Sequence, residues 1–329
     1  MISDRGAVSQ AGVRGPTAAG AVTAPFEPAY LRLLRSGELA ERVRRAYAHL
    51  AACDLCGRRC GVDRRRTIRG AVCRTGERAV VHSYGPHHGE EAPLSGWRGS
   101  GTIFFSWCSL RCEFCQNWEI SQRGIGREVE PEELAVMMLE LQELGCHNIN
   151  LVTPSHVVAQ ILAAVLVGAT AGLRLPLVYN TGGYDSPEAL ALLDGVVDIY
   201  MPDMKYGDSE LARRYSHVRD YVAVNRAAVR EMHRQVGDLV IDERGIARRG
   251  LLVRHLVLPA DRAATEGVLT YLAREISPTT YLNLMDQYRP CYRAVDDPPL
   301  DRPVSRDEYH RAVELARRLG LTRLDTGRS

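Results

Sequence analysis

No run of this sequence is apolar for long enough to cross a bilayer: the most apolar stretch, Val157 to Leu173, is interrupted by Gln160 and Gly168 and stops at Arg174. It reads as a buried helix. Neither sign of charge dominates, since 42 Lys+Arg stand against 40 Asp+Glu for a net of +2, so no whole-chain field points to nucleic acid or to a membrane surface. Residues 1–24 are rich in Ala, Gly, Thr and Val, but they lack a compact Leu-rich core and carry Arg5 and Arg14. They read as a disordered leader rather than a secretory signal. Without such a signal, the nine cysteines, most of them in clustered ligand spacings, are expected as reduced thiols holding metal in the cytoplasm rather than as disulfides. At 329 residues and 45% hydrophobic content the chain can bury a large core, as one barrel-like domain with an appendage or as two domains.

What is present is a cysteine loop, Trp107-Cys108-Ser109-Leu110-Arg111-Cys112-Glu113-Phe114-Cys115-Gln116-Asn117. Its C-x3-C-x2-C spacing can wrap three thiolates around one cuboidal iron–sulfur cluster. No further cysteine follows until Cys146, so one iron is left open to a substrate or cofactor. The plainer readings are a zinc knuckle completed by a distant histidine, or thiols buried as small apolar groups. The loop resembles that of the radical S-adenosylmethionine (SAM) superfamily. Its members hold a [4Fe-4S] cluster by this spacing, bind SAM through its amino and carboxylate groups at the unique iron, and commonly place an aromatic residue before the last cysteine, where Phe114 stands. The resemblance makes Cys108, Cys112 and Cys115 the cluster ligands and Phe114 and Asn117 candidate SAM contacts.

Periodicity divides the rest of the chain. Leu31, Leu34, Leu39, Val43, Tyr47 and Leu50 mark an amphipathic helix over Ala29–Ala51, leading into a four-cysteine knuckle (the whole segment 25–80) and a Gly/Pro/His linker at 81–100, with His87-His88 and Glu90-Glu91 solvated. Strands at Thr102–Ser106, Asn148–Thr153, Pro176–Thr181, Val196–Met201, Leu251–Leu258 and Thr280–Met285 alternate with helices at 131–144, 156–169, 187–194, within 208–236, 263–275 and 305–319. A tail occupies 321–329. Pro131 and Pro187 suit first helical turns, Ser186 a cap, and Gly145 and Gly195 helix ends. Repeated β-α units give an α/β fold with a parallel sheet. Between a doubly wound sheet and a partial barrel the pattern does not choose; the superfamily resemblance implies a partial, TIM-like (β/α)6 barrel over 101–320.

In a parallel barrel the chemistry gathers at the C-terminal strand ends. Those loops here are the cluster loop, Thr153-Pro154-Ser155-His156, Asn180-Thr181-Gly182-Gly183 and Met201-Pro202-Asp203-Met204-Lys205. The last two resemble loops of the glycyl-radical-enzyme activases, exemplified by the pyruvate formate-lyase activating enzyme, in which D-T-N-G and M-x-D-x-K segments contact SAM and a monovalent cation. Thr181, Met201, Asp203 and Lys205 match; Asn180 replaces the acidic residue, keeping an oxygen but losing a charge. The superfamily's Gly-Gly-Glu-type segment is replaced by Thr153-Pro154-Ser155-His156, where the side chains of Thr153, Ser155 or His156, or backbone carbonyls, can offer acceptors to the SAM amino group. His156 reads as a helix-start residue. Segments such as GPHHGEEAPLSGWRGSGTIFFS and RGLLVRHLVLP extend the resemblance, across 78–320, to the pyruvate formate-lyase activating enzyme-like subfamily.

A second set, Cys53-x2-Cys56-x3-Cys60 with Cys73, supplies four more thiolates, enough for zinc or a second iron–sulfur cluster. Arg58, Arg59, Arg64, Arg65, Arg66 and Arg69 offset their charge, and no interleaved aromatics offer base-stacking platforms. Cys146 and Cys291 read as isolated thiols. The resemblance implies an enzyme that cleaves SAM reductively to a 5′-deoxyadenosyl radical for hydrogen abstraction, with an electron donor such as flavodoxin or ferredoxin. A glycyl loop of a partner protein is one expected substrate, and a small molecule or RNA are others. The rival from another class is a non-catalytic iron–sulfur protein for electron transfer or sensing. No membrane partner is expected.

Overall fold

The computed structural model describes residues 26–326, so the leader expected at 1–24 lies outside the described residues. Helices α1 (Tyr30–Ser36) and α2 (Glu38–His49) open the chain. They are two helices where periodicity indicated one, because Gly37 adopts φ +78° and ends α1 by donating to the Leu34 carbonyl. Residues 50–78 contain a single 3-10 turn at Leu50–Ala52, an isolated bridge from Cys56 to Asp185, and otherwise turns and bends. Then follow β1 (Ala79–His87), α3 (Ala92–Ser95), β2 (Ser100–Phe105), β3 (Arg127–Val129), α4 (Pro131–Glu143), β4 (Ile149–Val152), α5 (Val158–Thr170), β5 (Leu177–Thr181), α6 (Pro187–Leu193) and β6 (Ile199–Pro202). The remainder is α7 (Ser209–Ser216), α8 (Tyr221–Val236), β7 (Val240–Ile241), β8 (Ala247–Leu256), α9 (Thr265–Tyr271), β9 (Tyr281–Met285), α10 (Arg306–Arg318) and β10 (Leu324–Asp325).

The sheet runs β10-β9-β8-β6-β5-β4-β2-β1-β3, and β2 through β10 pair in parallel along that order. This is a mixed α/β fold with an open, mostly parallel sheet, consistent with a partial barrel. Helices cover it by the expected logic: α4 buries Leu134, Met137, Met138 and Leu141 on one stripe, while α5, apolar nearly all round, is buried along most of its length. No helix among the described residues is long and apolar enough to cross a membrane. Caps sit where the sequence put them, with Pro131 and Pro187 in first turns and the Ser186 hydroxyl accepting from Ala189 N–H at 3.2 Å.

The span 81–100 is a correction to the expected linker. β1 runs through it antiparallel to β2, and its second half pairs on one side only, which is how a strand tolerates Gly85-Pro86. Glu91 is buried rather than solvated, and its Oε1 accepts from Asn283 Nδ2 at 2.8 Å. Residues 324–325 of the expected tail add a parallel edge strand beside β9.

Candidate functional site

The cluster loop leaves β2 through Trp107, a non-glycine residue at φ +68°, and Thr153 at the end of β4 is likewise left-handed at φ +62°. Backbone held in this region collects at functional sites, where the surrounding structure has to enforce it. Each cysteine sulfur of the loop has a neighbouring donor: Leu110 N–H to Cys108 at 3.3 Å, the Ser216 hydroxyl to Cys112 at 2.9 Å, and the Ser121 hydroxyl beside Cys115 at 3.1 Å. Burial, followed by the Cys112 charge, pushes the Cys108 thiol up to about 12, and burial raises that of Cys112 although Lys205 opposes it. As free thiols they stay protonated; a bound metal centre deprotonates them. Among the described residues no three His, Cys, Asp or Glu groups converge as they would around a single ion. Three thiols on one loop in C-x3-C-x2-C spacing, each with its own donor, fit an iron–sulfur cluster.

Opposite the loop, Asp203 holds a charged cluster together. Its Oδ2 accepts from Lys205 Nζ at 2.6 Å and its Oδ1 from Arg254 Nε at 2.9 Å, while Arg254 Nη2 donates to Asn180 Oδ1 at 2.7 Å. Burial pushes the Asp203 carboxyl up, but Arg254 and Lys205 outweigh it and hold its pKa below the ordinary value. Burial disfavours the Lys205 ammonium, and Asp203 and Cys112 more than compensate, so it stays charged. Lys205 is the only lysine in the chain. Among so many arginines, a compact point charge stands at this position alone. Glu90, raised by burial, lies 3.9 Å from Arg254 and lengthens the chain of charges.

Arg254 escaped the sequence reading although it interrupts the apolar run of β8. It also bears on the expected monovalent cation: the guanidinium already engages Asn180 Oδ1 and Asp203 Oδ1, two oxygens that such an ion would use. Arg254 thereby places a fixed positive charge against both oxygens.

The other candidates are placed beneath this surface. Ser155 Oγ and Thr181 Oγ1 lie 2.9 Å apart, and Thr181 donates to buried Asp185 at 2.7 Å, which also accepts from Tyr179 Oη at 2.9 Å. Both hydroxyls are buried in that network, Met201 is packed among Val178, Ile199 and Leu252, and Thr153 N–H donates to the Asn180 carbonyl at 2.9 Å. Phe114, Asn117, Asp203, Lys205 and Arg254 instead line one cavity of about 260 Å³ with Cys112 and Cys115. Phe114 is fixed edge-on by Tyr206 and Tyr288, with ring centroids 6.2 Å away in each case.

The third and fourth loops are stapled from α8. Tyr221 Oη lies 2.9 Å from the Gly182 carbonyl and accepts from Lys205 N–H at 3.0 Å; Asn225 Nδ2 donates to the carbonyls of Gly183 and Asp203, both at 3.0 Å. Gly183, at φ +71°, has no room for a side chain: a Cβ there would stand 2.3 Å from the Asp203 carbonyl oxygen and 2.2 Å from Asn225 Nδ2. Gly183→Ala is therefore expected to destabilise by about 2–4 kcal/mol, combining strained backbone with overpacking. Urea unfolding at fixed cluster loading measures it, and an unchanged midpoint would show that the staple is loose.

The radical SAM superfamily pattern matches residues 102–241, which span the cluster loop and the strands through β7. An uncharacterized protein of Methanocaldococcus jannaschii is 32% identical over 279 residues, covering 82% of this chain and 75% of that protein. Among solved structures, a radical SAM methyltransferase from Sphaerobacter thermophilus is similar with a TM-score of 0.46 and 17% identity over 69% of this chain and 67% of that one. The structure of TYW1 with a lysine-pyruvate adduct bound gives 0.41 and 12% identity over 66% and 72%.

Proposed function

This chain belongs to the radical SAM superfamily, and from that premise we propose that it cleaves SAM reductively and directs the resulting radical at a loop of a partner protein, in the manner of a glycyl-radical activase. The observation that carries the reading is the single cavity shared by Cys112, Cys115, Asp203, Lys205 and Arg254. Cys108, Cys112 and Cys115 would hold the [4Fe-4S] cluster, which would supply the single electron for reductive cleavage of the sulfonium of SAM.

The residues of the chain bind and orient. Lys205, kept charged by Asp203, offers an ammonium to an anionic group such as the methionyl carboxylate. Arg254 supports the Asp203 carboxylate from the other side and ties it to Asn180. Leu256, Leu258 and Met285 close the cavity with apolar surface that excludes quenchers of a radical. The activase direction rests on the Asn180-Thr181 and Met201-to-Lys205 loops, and a flavodoxin or ferredoxin is the proposed one-electron donor.

Anaerobic reconstitution followed by assay for 5′-deoxyadenosine, with SAM and a reductant, tests the proposal. No product from a fully loaded protein would return it to non-catalytic electron transfer or sensing. Asp203→Ala should assemble its cluster normally but use SAM less well, because losing a charge-assisted contact costs ~1.5–3 kcal/mol, or roughly 10–150-fold. Equal SAM affinity and cleavage in wild-type and Asp203→Ala proteins would remove Asp203 from the site.

A further inference from the structure

We infer that Cys53, Cys56, Cys60 and Cys73 hold a second iron–sulfur cluster, seated against the back of the SAM-cluster loop. The inference goes beyond the proposed reaction and stands or falls without it. All four cysteines line one small cavity together with Arg64, His156 and Ser109; Cys53, Cys56 and Cys73 are buried and Cys60 is half-buried. The backbone brings them there by a tight reversal, with Cys53 N–H donating to the Val62 carbonyl at 3.0 Å and Gly61 N–H to the Cys53 carbonyl at 2.9 Å.

Two side chains show that this cavity is built for more than thiols. Arg64 is 2% exposed, and its guanidinium donates to the carbonyls of Thr75 and Gly76 at 2.7 and 3.1 Å and points Nη1 at Cys53 Sγ, 3.5 Å away. No carboxylate is paired with it among the described residues. A buried cation without a counter-charge is costly, so the negative charge has to come from the sulfurs. Cysteine sulfurs become anionic when a metal centre takes the protons' place. Metal-bound thiolates and Arg64 satisfy each other.

His156 is the second sign. It is 1% exposed, and its Nε2–H donates to the Ser106 carbonyl at 3.0 Å, while its Nδ1 has no partner among the described residues. Burial, then the Arg64 charge, holds the ring neutral. A buried acceptor left without a partner beside the cysteines points to an occupant of this cavity. The residue read from sequence as a helix start thus borders the cysteine cavity.

The position favours a cluster over zinc. The four thiols ring one cavity that also reaches Ser109 of the first cluster loop. A cluster there can exchange an electron with the first centre, which redox-inactive zinc cannot. Adjacency to the first site is direct: Arg58 Nε donates to the Ser109 carbonyl at 2.8 Å, and the Arg74 guanidinium covers the Trp107 ring at 5.2 Å. Trp107 and Ser109 flank Cys108, so the two centres share a wall.

Iron, sulfide and zinc counts on the anaerobically reconstituted full chain decide the matter. Wild type is expected to hold ~8 irons and no zinc, and the Cys108→Ala/Cys112→Ala/Cys115→Ala variant ~4 irons that SAM does not perturb. Cys53→Ser/Cys73→Ser should lose the other ~4 and keep the SAM-responsive signal of the reduced first cluster. Wild type with only ~4 irons, or a triple variant carrying about one zinc and no iron, would overturn the assignment. The wild-type and triple-variant counts leave residues 53–73 intact, so misfolding of that segment cannot mimic the negative result. A protein that holds ~8 irons but makes no 5′-deoxyadenosine would sink the proposed reaction and leave this site standing.

Discussion

Cys112→Ala is expected to abolish 5′-deoxyadenosine formation and to remove about four irons from the reconstituted protein. The reason lies in its position as much as in its thiol. Cys112 is the buried member of the triplet, its sulfur receives the Ser216 hydroxyl from the end of α7 at 2.9 Å, and the Lys205 charge acts on it across the cavity. Two remaining thiolates hold a cubane poorly and leave two irons open instead of one, so the defect is loss of the centre rather than slower turnover. Cys146→Ala serves as the control, since that thiol sits in the apolar core away from the loop and should change iron content and product little. Iron analysis and single-turnover product assays on both variants give the comparison. Full iron in Cys112→Ala, with SAM still altering the electron paramagnetic resonance of the reduced cluster, would take the cluster off this loop.

The order of strands and helices was legible because the parallel sheet repeats one pattern, a short apolar run followed by a helical segment. Boundaries moved by only a few residues: the strand read at Asn148–Thr153 is Ile149–Val152, and the helix read at 305–319 is Arg306–Arg318. The loop cysteines were legible because their ligand spacing is local. Less legible was anything set by contacts distant in sequence. Gly37 carries no periodic signal, yet one positive φ divides a helix in two. β1, with its histidines, Gly85 and Pro86, has a loop-like composition and becomes a strand only because β2 offers it an antiparallel edge. Thr181 and Ser155 look like ligand-binding hydroxyls in sequence, and their use in bonding each other and Asp185 depends on β5 lying beside the β4 loop. The clearest sign missed was Arg254, a charge directly after the apolar Leu251-Leu252-Val253 of β8 whose partners Asn180 and Asp203 lie on two other strand ends.

Arg254 also gives the sharpest test of how this rim differs from the activase loops it resembles. In the wild-type protein its guanidinium, fixed to Asp203 and Asn180, supplies the positive charge that a bound monovalent ion would otherwise bring, so SAM cleavage should be the same in sodium, potassium or bulky organic-cation buffers. Arg254→Ala removes that charge and leaves Asp203 Oδ1 and Asn180 Oδ1 facing the space it filled, with Glu90 also losing its neighbour. Breaking a mostly buried ion pair costs about 3–5 kcal/mol in all. If about half of that falls on SAM rather than on folding, cleavage drops by roughly 10–100-fold at equal cluster loading. The bared oxygens are hard ligands for a small cation. Potassium or sodium should therefore restore part of the activity of Arg254→Ala while leaving wild type unchanged, and a bulky organic cation should restore none. Arg254→Lys, which keeps the charge but not the two-pronged contact, should fall between the two. Reductive SAM cleavage measured across a series of chloride salts at constant ionic strength reads all three outcomes. A wild-type enzyme that itself requires potassium or sodium, or an Arg254→Ala enzyme indifferent to them at full activity, would show that the guanidinium does not stand in for the ion.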